Sequence, residues 1–299
     1  MPVFNSAPVL ERAVRSVRAQ AGFDLEIIVV DDGSTDDSIA VLRNIAAQDM
    51  KVLSQPNAGP GAARNAGIQA SRGEWIAFLD ADDYWIPGKL DAQMAALAED
   101  PKRAFSYCDC YARDSRGLER IHKALATQET LLEDLLPGPG FITDSVIVRR
   151  VCFDRIGLFD TSLRSGEDWD MWLRLSAEFR GCYLAKPLCG RQLSEQPDKY
   201  TAELMESCTL RIVGKILSNP AVLRNWPSII ESRRRIFAWH CSVLAKTYWR
   251  QKKIAPFLRL ALACIGWHPI GAYYLSRRWR KRELPRLVPK PRRELRSAR

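Results

Sequence analysis

Apolar positions in the first two hundred residues switch repeatedly between a helical period and short continuous runs. Val9, Leu10, Ala13, Val14 and Val17 share one helical face, with Asn5 or Ser6 as cap and Pro8 in the first turn. Leu25 to Val30 is a β-branched run that predicts a buried strand. It ends in the polar turn Asp31 to Asp36, which leads into a helix carrying Ile39, Leu42, Ile45 and Ala46. A short strand at 51–53 follows. The glycine-rich loop Asn57-Ala58-Gly59-Pro60-Gly61 then opens an alanine-rich helix to about residue 70. Trp75 to Leu79 reads as the next buried strand, closed by Asp80-Ala81-Asp82-Asp83; Pro87 starts a helix to about residue 98, and 104–111 is a further strand.

Strands alternating with helices of this length predict an α/β fold, a mainly parallel sheet flanked by helices. In such sheets ligands bind beyond the carboxyl ends of the strands, and two of the three best strands end there in clustered aspartates. The pattern then loosens: Gly138-Pro139-Gly140 is a loop, 141–149 a strand, and Glu167 to Ala177 a helix. Helices dominate after about residue 198. The expected domains are 1–195, a helical region at 196–275, and a basic tail at 276–299.

Composition sharpens this. Of the net charge of +10, the tail alone carries +9, from eleven Lys and Arg against two Glu, so the body is nearly neutral and is not a nucleic-acid binder. The eight cysteines form no C-x-x-C pair and predict reduced thiols in the cytoplasm rather than a zinc ribbon or a disulfide framework. No uninterrupted apolar run reaches 18 residues; the best, 257–275, is broken by Arg259, His268 and Pro269.

Four constellations carry chemistry. Asp80 and Asp82, two apart at a strand end, can hold a hard divalent cation on a diphosphate, or simply solvate and cap a turn. Asp31 and Asp32 can accept hydrogen bonds from a base or a ribose, while Ser34 to Asp36 cap the next helix. The loop at 59–61 allows close backbone approach to phosphate, with Arg64 as a pairing cation. Glu167, Asp168 and Asp170 open a helix, where a carboxylate can serve as general base; the other reading is ordinary charge at a helix N-terminus. Trp169 and Trp172 suit either a sugar floor or the core.

These stretches together resemble the family 2 glycosyltransferases. The resemblance covers about residues 2–195 and rests on Pro2-Val3-Phe4-Asn5, on E-I-I-V-V-D-D-G-S-T-D-D-S from Glu26, on N-A-G-P-G-A-A-R-N-A-G-I and G-E-W-I-A-F-L-D-A-D-D between Asn57 and Asp83, and on G-L-F-D and G-E-D-W-D-M-W-L-R-L from Gly157. It implies the nucleotide-sugar-binding A-type, Rossmann-like fold. It implies Phe4 stacking on the base, usually uracil, and Asp32 hydrogen-bonding it with Asp31 alongside. Arg64 would lie near the nucleotide, Asp80 at the ribose, and Asp82 with Asp80 at Mg²⁺ or Mn²⁺. Asp168 would be the catalytic base, with Glu167 its neighbour. The implied chemistry is inverting transfer from a nucleotide sugar, a UDP-sugar by this reading.

Two departures stand out. The family has an apolar strand ahead of the Pro-Val-Phe-Asn segment, and Met1 falls where that strand ends, so an inner strand is expected to be missing. Q-x-x-R-W, the mark of processive polymerases, is absent, which points to transfer of a single sugar. The expected acceptor is a lipid-linked or cell-surface glycan. The aromatic-rich segment 254–279, followed by Arg277, Arg278, Arg280, Lys281 and Arg282, predicts peripheral contact with the inner face of the cell membrane. The alternative is a non-catalytic module of the same fold that docks on membranes or polyanions through the tail.

Overall fold

The computed structural model describes residues 1–114, 117–124, 131–192 and 201–276. The chain divides into two compact units, Met1–Leu131 with Pro139–Lys199, and Leu132–Gly138 with Tyr200–Arg299. The predicted basic tail from Arg277 onward lies outside the described residues.

The first unit runs β1 (Pro2–Val3), α1 (Leu10–Arg18), β2 (Ile27–Asp31), α2 (Ser38–Ile45), β3 (Met50–Ser54), α3 (Pro60–Ala70), β4 (Trp75–Ala77), β5 (Tyr84–Trp85), α4 (Lys89–Ala98), β6 (Arg103–Arg113) and β7 (Glu119–His122). The short helix α5 (Leu131–Leu135) crosses into the other unit. The first unit then resumes with β8 (Ile147–Arg149), α6 (Cys152–Ile156), α7 (Glu167–Glu178) and β9 (Arg180–Gln192). Leu10, Ala13, Val14 and Val17 of α1 are buried, as their spacing predicts. The helix starts later than expected, because Asn5 takes a left-handed φ of 49° and its Oδ1 accepts from the Thr35 amide at 2.8 Å instead of capping α1.

The α/β class holds, with two ladders of different character. β1, β2 and β3 pair in parallel in that order, with Val3 opposite Asp31 and Asp31 opposite Ser54. The six-stranded ladder runs β4-β8-β6-β9-β5, with β7 added on β6. Within it only β6 and β9 are parallel; the rest are antiparallel. The parallel expectation therefore applies to the first ladder and to the β6–β9 pair. The others are antiparallel, and apart from β6 and β7 they pair segments distant in sequence: β4 with β8 and β5 with β9.

No ladder joins β2 to β4 among the described residues. A cavity of about 360 Å³ lies there, lined by Met1, Ile27 and Ile28 on one side and Trp75, Ile76 and Phe78 on the other. The Met1 ammonium donates to the Ile28 carbonyl at 2.8 Å, and burial pushes its pKa down to about 5.

The second unit adds α8 (Ala202–Leu217), α9 (Pro220–Asn225), α10 (Pro227–Glu231), α11 (Arg233–Arg250), α12 (Ile254–Trp267) and α13 (Gly271–Ser276). The segment 132–138 belongs to this unit: Trp239 Nε1 of α11 donates to the Pro137 carbonyl at 3.2 Å, and His240 Nε2 meets the Leu136 carbonyl at 2.8 Å. All eight cysteines are free and buried. No described helix is long and apolar enough to cross a membrane.

Candidate functional site

Arg64 is the hub of an acidic cluster at one rim of the first unit. Its Nη2 lies 2.8 and 3.1 Å from the two carboxylate oxygens of Asp80, and its Nη1 is 3.0 Å from Glu167 Oε1. The side chain is only 6% exposed and packs over the Phe159 ring, 5.6 Å from its centroid. Burial opposes its charge, but Asp80 and Glu167 more than compensate and raise its pKa. The sequence reading put Arg64 beside a nucleotide; in the structure it knits α3, the end of β4 and the start of α7 together.

Asp80 follows β4, and its backbone N–H donates to Asp144 Oδ1 at 2.6 Å. Asp80, Asp83 and Asp144 each bring a carboxylate oxygen within 4.8 Å of the others. Burial first, then the Asp144 charge, push Asp83 far above the carboxylate range, so this pair retains a proton. Burial and Asp80 likewise raise Asp144, against the help of its hydrogen bonds and of Arg64. Such a donor set suits a hard divalent cation, which takes oxygen ligands and would allow all three acids to ionise. Asp82 stands apart from the three: it is exposed, and its backbone carbonyl accepts from Arg12. Sequence reasoning paired Asp80 with Asp82 and missed Asp83 and Asp144. Asp144 sits in the 3₁₀ turn Thr143–Ser145, and only Ile147–Arg149 of the strand expected at 141–149 is extended as β8.

Asp168 is half-buried at the first turn of α7 and accepts from the Trp169 amide at 2.7 Å. Burial and the neighbouring Glu167 raise its pKa to about 6, while Arg64 pulls the other way. A carboxylate at that value is neutral in mild acid and an ionised base near pH 7. Asp170 is different: it is buried and pairs with Arg174 at 2.9 Å, and Arg174 in turn caps the Leu158 carbonyl at 3.0 Å. Trp169 and Trp172 are buried too. Trp172 meets Phe78, Phe141 and Phe159 at ring-centroid distances of 5.8, 5.9 and 6.0 Å, so these tryptophans belong to the core rather than to a sugar floor.

The residues expected at the base lie on the first ladder. Phe4 follows β1 and is 48% exposed. Asp31 ends β2 and Asp32 follows it, both buried. Asp31 receives the Ser34 amide at 3.3 Å. Asp32 accepts from Gln55 Nε2 at 2.7 Å, from the Ala58 amide at 2.9 Å and from the Gly59 amide at 2.8 Å. Three of its roughly four acceptor directions are thus filled by protein. Gly59 can be held this way because its φ of 89° suits glycine.

Residues 1–157 match glycosyl transferase family 2. The succinoglycan biosynthesis protein ExoO of Rhizobium meliloti is 36% identical over 182 residues, which is 56% of this chain and 51% of ExoO. An uncharacterized glycosyltransferase of Rickettsia conorii is 31% identical over 182 residues, 60% of this chain and 30% of that protein. The chain thus spans between about a third and a half of the length of these curated relatives. In fold it is similar to S. aureus TarS 1-349 in complex with UDP-GlcNAc, with a TM-score of 0.60, 19% identity, and coverage of 87% of this chain and 88% of that one. It is also similar to the mannosyltransferase PcManGT of Pyrobaculum calidifontis in complex with GDP-Man and Mn2+, with a TM-score of 0.53, 17% identity, and coverage of 92% and 72%. The match over more than half its length, together with four motifs in order, makes this chain a member of glycosyl transferase family 2.

Proposed function

We propose that the chain transfers one sugar, with inversion, from a nucleotide sugar to a hydroxyl of a lipid-linked or surface glycan. The observation that carries this reading is the half-buried Asp168, raised to about 6, beside the Arg64–Asp80–Glu167 network. In this reading Asp168 takes the proton from the acceptor hydroxyl, whose oxygen attacks the anomeric carbon as the nucleoside diphosphate departs. Arg64 fixes Glu167 and Asp80 on either side, and thereby the position of Asp168. Asp170 is excluded from the role because its carboxylate is buried against Arg174.

A divalent cation, Mg²⁺ or Mn²⁺, would stabilise negative charge on the leaving diphosphate when bound. In this reading Asp80 and Asp82 would hold it; the other donor set is Asp80, Asp83 and Asp144, whose carboxylate oxygens lie within 4.8 Å of one another. The bound GDP-Man and Mn2+ of PcManGT support a nucleotide-sugar donor and a metal. The UDP-GlcNAc in TarS supports a uridine donor, with exposed Phe4 as its stacking surface and Asp31 and Asp32 near the base. The name of ExoO supports a place in polysaccharide biosynthesis, and the free, buried thiols support the cytoplasm.

Isothermal titration with UDP, with and without Mn²⁺, followed by hydrolysis and transfer assays on UDP-sugars, tests the reading. Metal-dependent UDP binding is expected. Affinity indifferent to the metal would overturn the cation's role, and no affinity for any nucleoside diphosphate would overturn the function.

A further inference from the structure

Helix α12 presents an apolar ridge to solvent. Ile254, Leu258, Leu262 and Ile265, spaced to share one face, are 63%, 52%, 71% and 47% exposed. The opposite face packs inward at its centre: Leu260 and Cys264 are buried, and the Cys264 thiol reaches the Ala238 carbonyl of α11 at 3.0 Å. Trp249, at the end of α11, is exposed close in sequence to the start of the ridge, and Trp267 is exposed at its end. Four large aliphatic side chains in a row exceed the scattered apolar exposure expected of a protein surface.

Charge indicates what covers the ridge. From Arg233 to Arg282 the sequence holds thirteen Lys and Arg and not one Asp or Glu. Lys253 and Arg259 pair with Glu203 and Glu206 of α8, while Arg250 and Lys252 stand exposed just before the ridge. A second copy of this chain seated on α12 would bring two such acid-free basic segments together, and their repulsion disfavours it. An anionic lipid surface answers both features, taking the aliphatic side chains among its acyl chains and the cations at its headgroups. The helix is too short to cross a bilayer and suited to lie in its plane.

We propose that α12 docks this chain on an anionic bilayer through Ile254, Leu258, Leu262 and Ile265, with Arg250 and Lys252 at the headgroups. The surface goes beyond the sugar-transfer reading and does not depend on it. The test is flotation of the full chain with vesicles of pure phosphatidylcholine, or of phosphatidylcholine containing a third phosphatidylglycerol, with no sugar donor present. Wild type should float with the anionic vesicles and little with the neutral ones. The exposed double variant Leu258→Gln/Leu262→Gln should lose binding by about tenfold or more with an unchanged circular dichroism spectrum. Arg250→Gln/Lys252→Gln should reduce anionic binding and its salt sensitivity together. The proposal is overturned if wild type fails to float with anionic vesicles, or if the leucine variant floats as well as wild type, which would assign binding to another segment. It is also overturned if sedimentation shows a dimer that the leucine substitutions dissolve, or if polyglutamate rather than lipid is what those substitutions release.

Discussion

Arg64 and Asp80, sixteen positions apart on α3 and beyond β4, meet in a two-oxygen contact at 2.8 and 3.1 Å. The guanidinium is almost wholly buried, and its other arm holds Glu167. Removing it would leave two carboxylates facing each other and Asp168 without a counter-charge. Arg64→Met should therefore cost about 3 kcal/mol of stability, as breaking a buried ion pair does. Arg64→Lys should recover only part, since an ammonium cannot bridge both acids with the same geometry. Urea unfolding measures both; a loss below about 1 kcal/mol for Arg64→Met would mean that the network contributes little to folding.

Asp168 and Asp170 separate by role. Asp168→Asn should leave nucleotide-sugar affinity within about twofold and lower turnover by roughly 10²- to 10⁴-fold, the usual worth of a general base. Asp170→Asn should instead lower the melting temperature, because it strips the buried partner of Arg174. Calorimetric binding, turnover and thermal unfolding measured on both variants settle the assignment. Turnover surviving in Asp168→Asn would move the base to Glu167.

Acid should silence the enzyme before it unfolds it. With Asp168 at about 6 in the folded chain, the base is protonated below that pH, so kcat/KM should rise tenfold per pH unit up to about 6 and level off above it. The stability contribution has the opposite sign. A folded pKa above the ordinary carboxylate value means that the folded state binds the proton more tightly, so this group's contribution is present below about pH 4 and is lost as pH rises through about 6. A pH–rate profile flat from 5 to 8 would reject Asp168 as the titrating base.

Asp82 is exposed and outside the Asp80, Asp83 and Asp144 cluster, so its loss should spare the fold. Asp82→Asn is expected to keep the wild-type melting temperature while weakening Mn²⁺ binding in the presence of UDP by about tenfold or more. Chelation should stop transfer by wild type, and added Mn²⁺ or Mg²⁺ should restore it. Asp83→Asn provides the contrast: it removes a buried carboxyl that shares a proton with Asp144, so both stability and cation affinity should change. Unaltered metal affinity in Asp82→Asn would leave Asp80, Asp83 and Asp144 as the ligands.

The sequence revealed whatever local pattern dictates. Asp80 was legible because an apolar run ends on it, and Asp168 because three acids open a periodic helix. The partnering was not legible. Nothing about Gln55 announces that its amide reaches Asp32, and the strand read over 141–149 hides the 3₁₀ turn that carries Asp144. Nor could spacing say which way Trp172 points; the ring cluster around it decides that. Strand β5 escaped for a related reason: it is two residues long, too short to carry a period.

The acids of the site come from two ladders that no described backbone pairing joins. Phe4, Asp31 and Asp32 ride with one, and Asp80, Asp83 and Asp144 with the other. A ligand long enough to touch both would act as a rivet between them, slowing amide exchange along β2 and β4 together, whereas a fragment reaching only one ladder would quiet only that one.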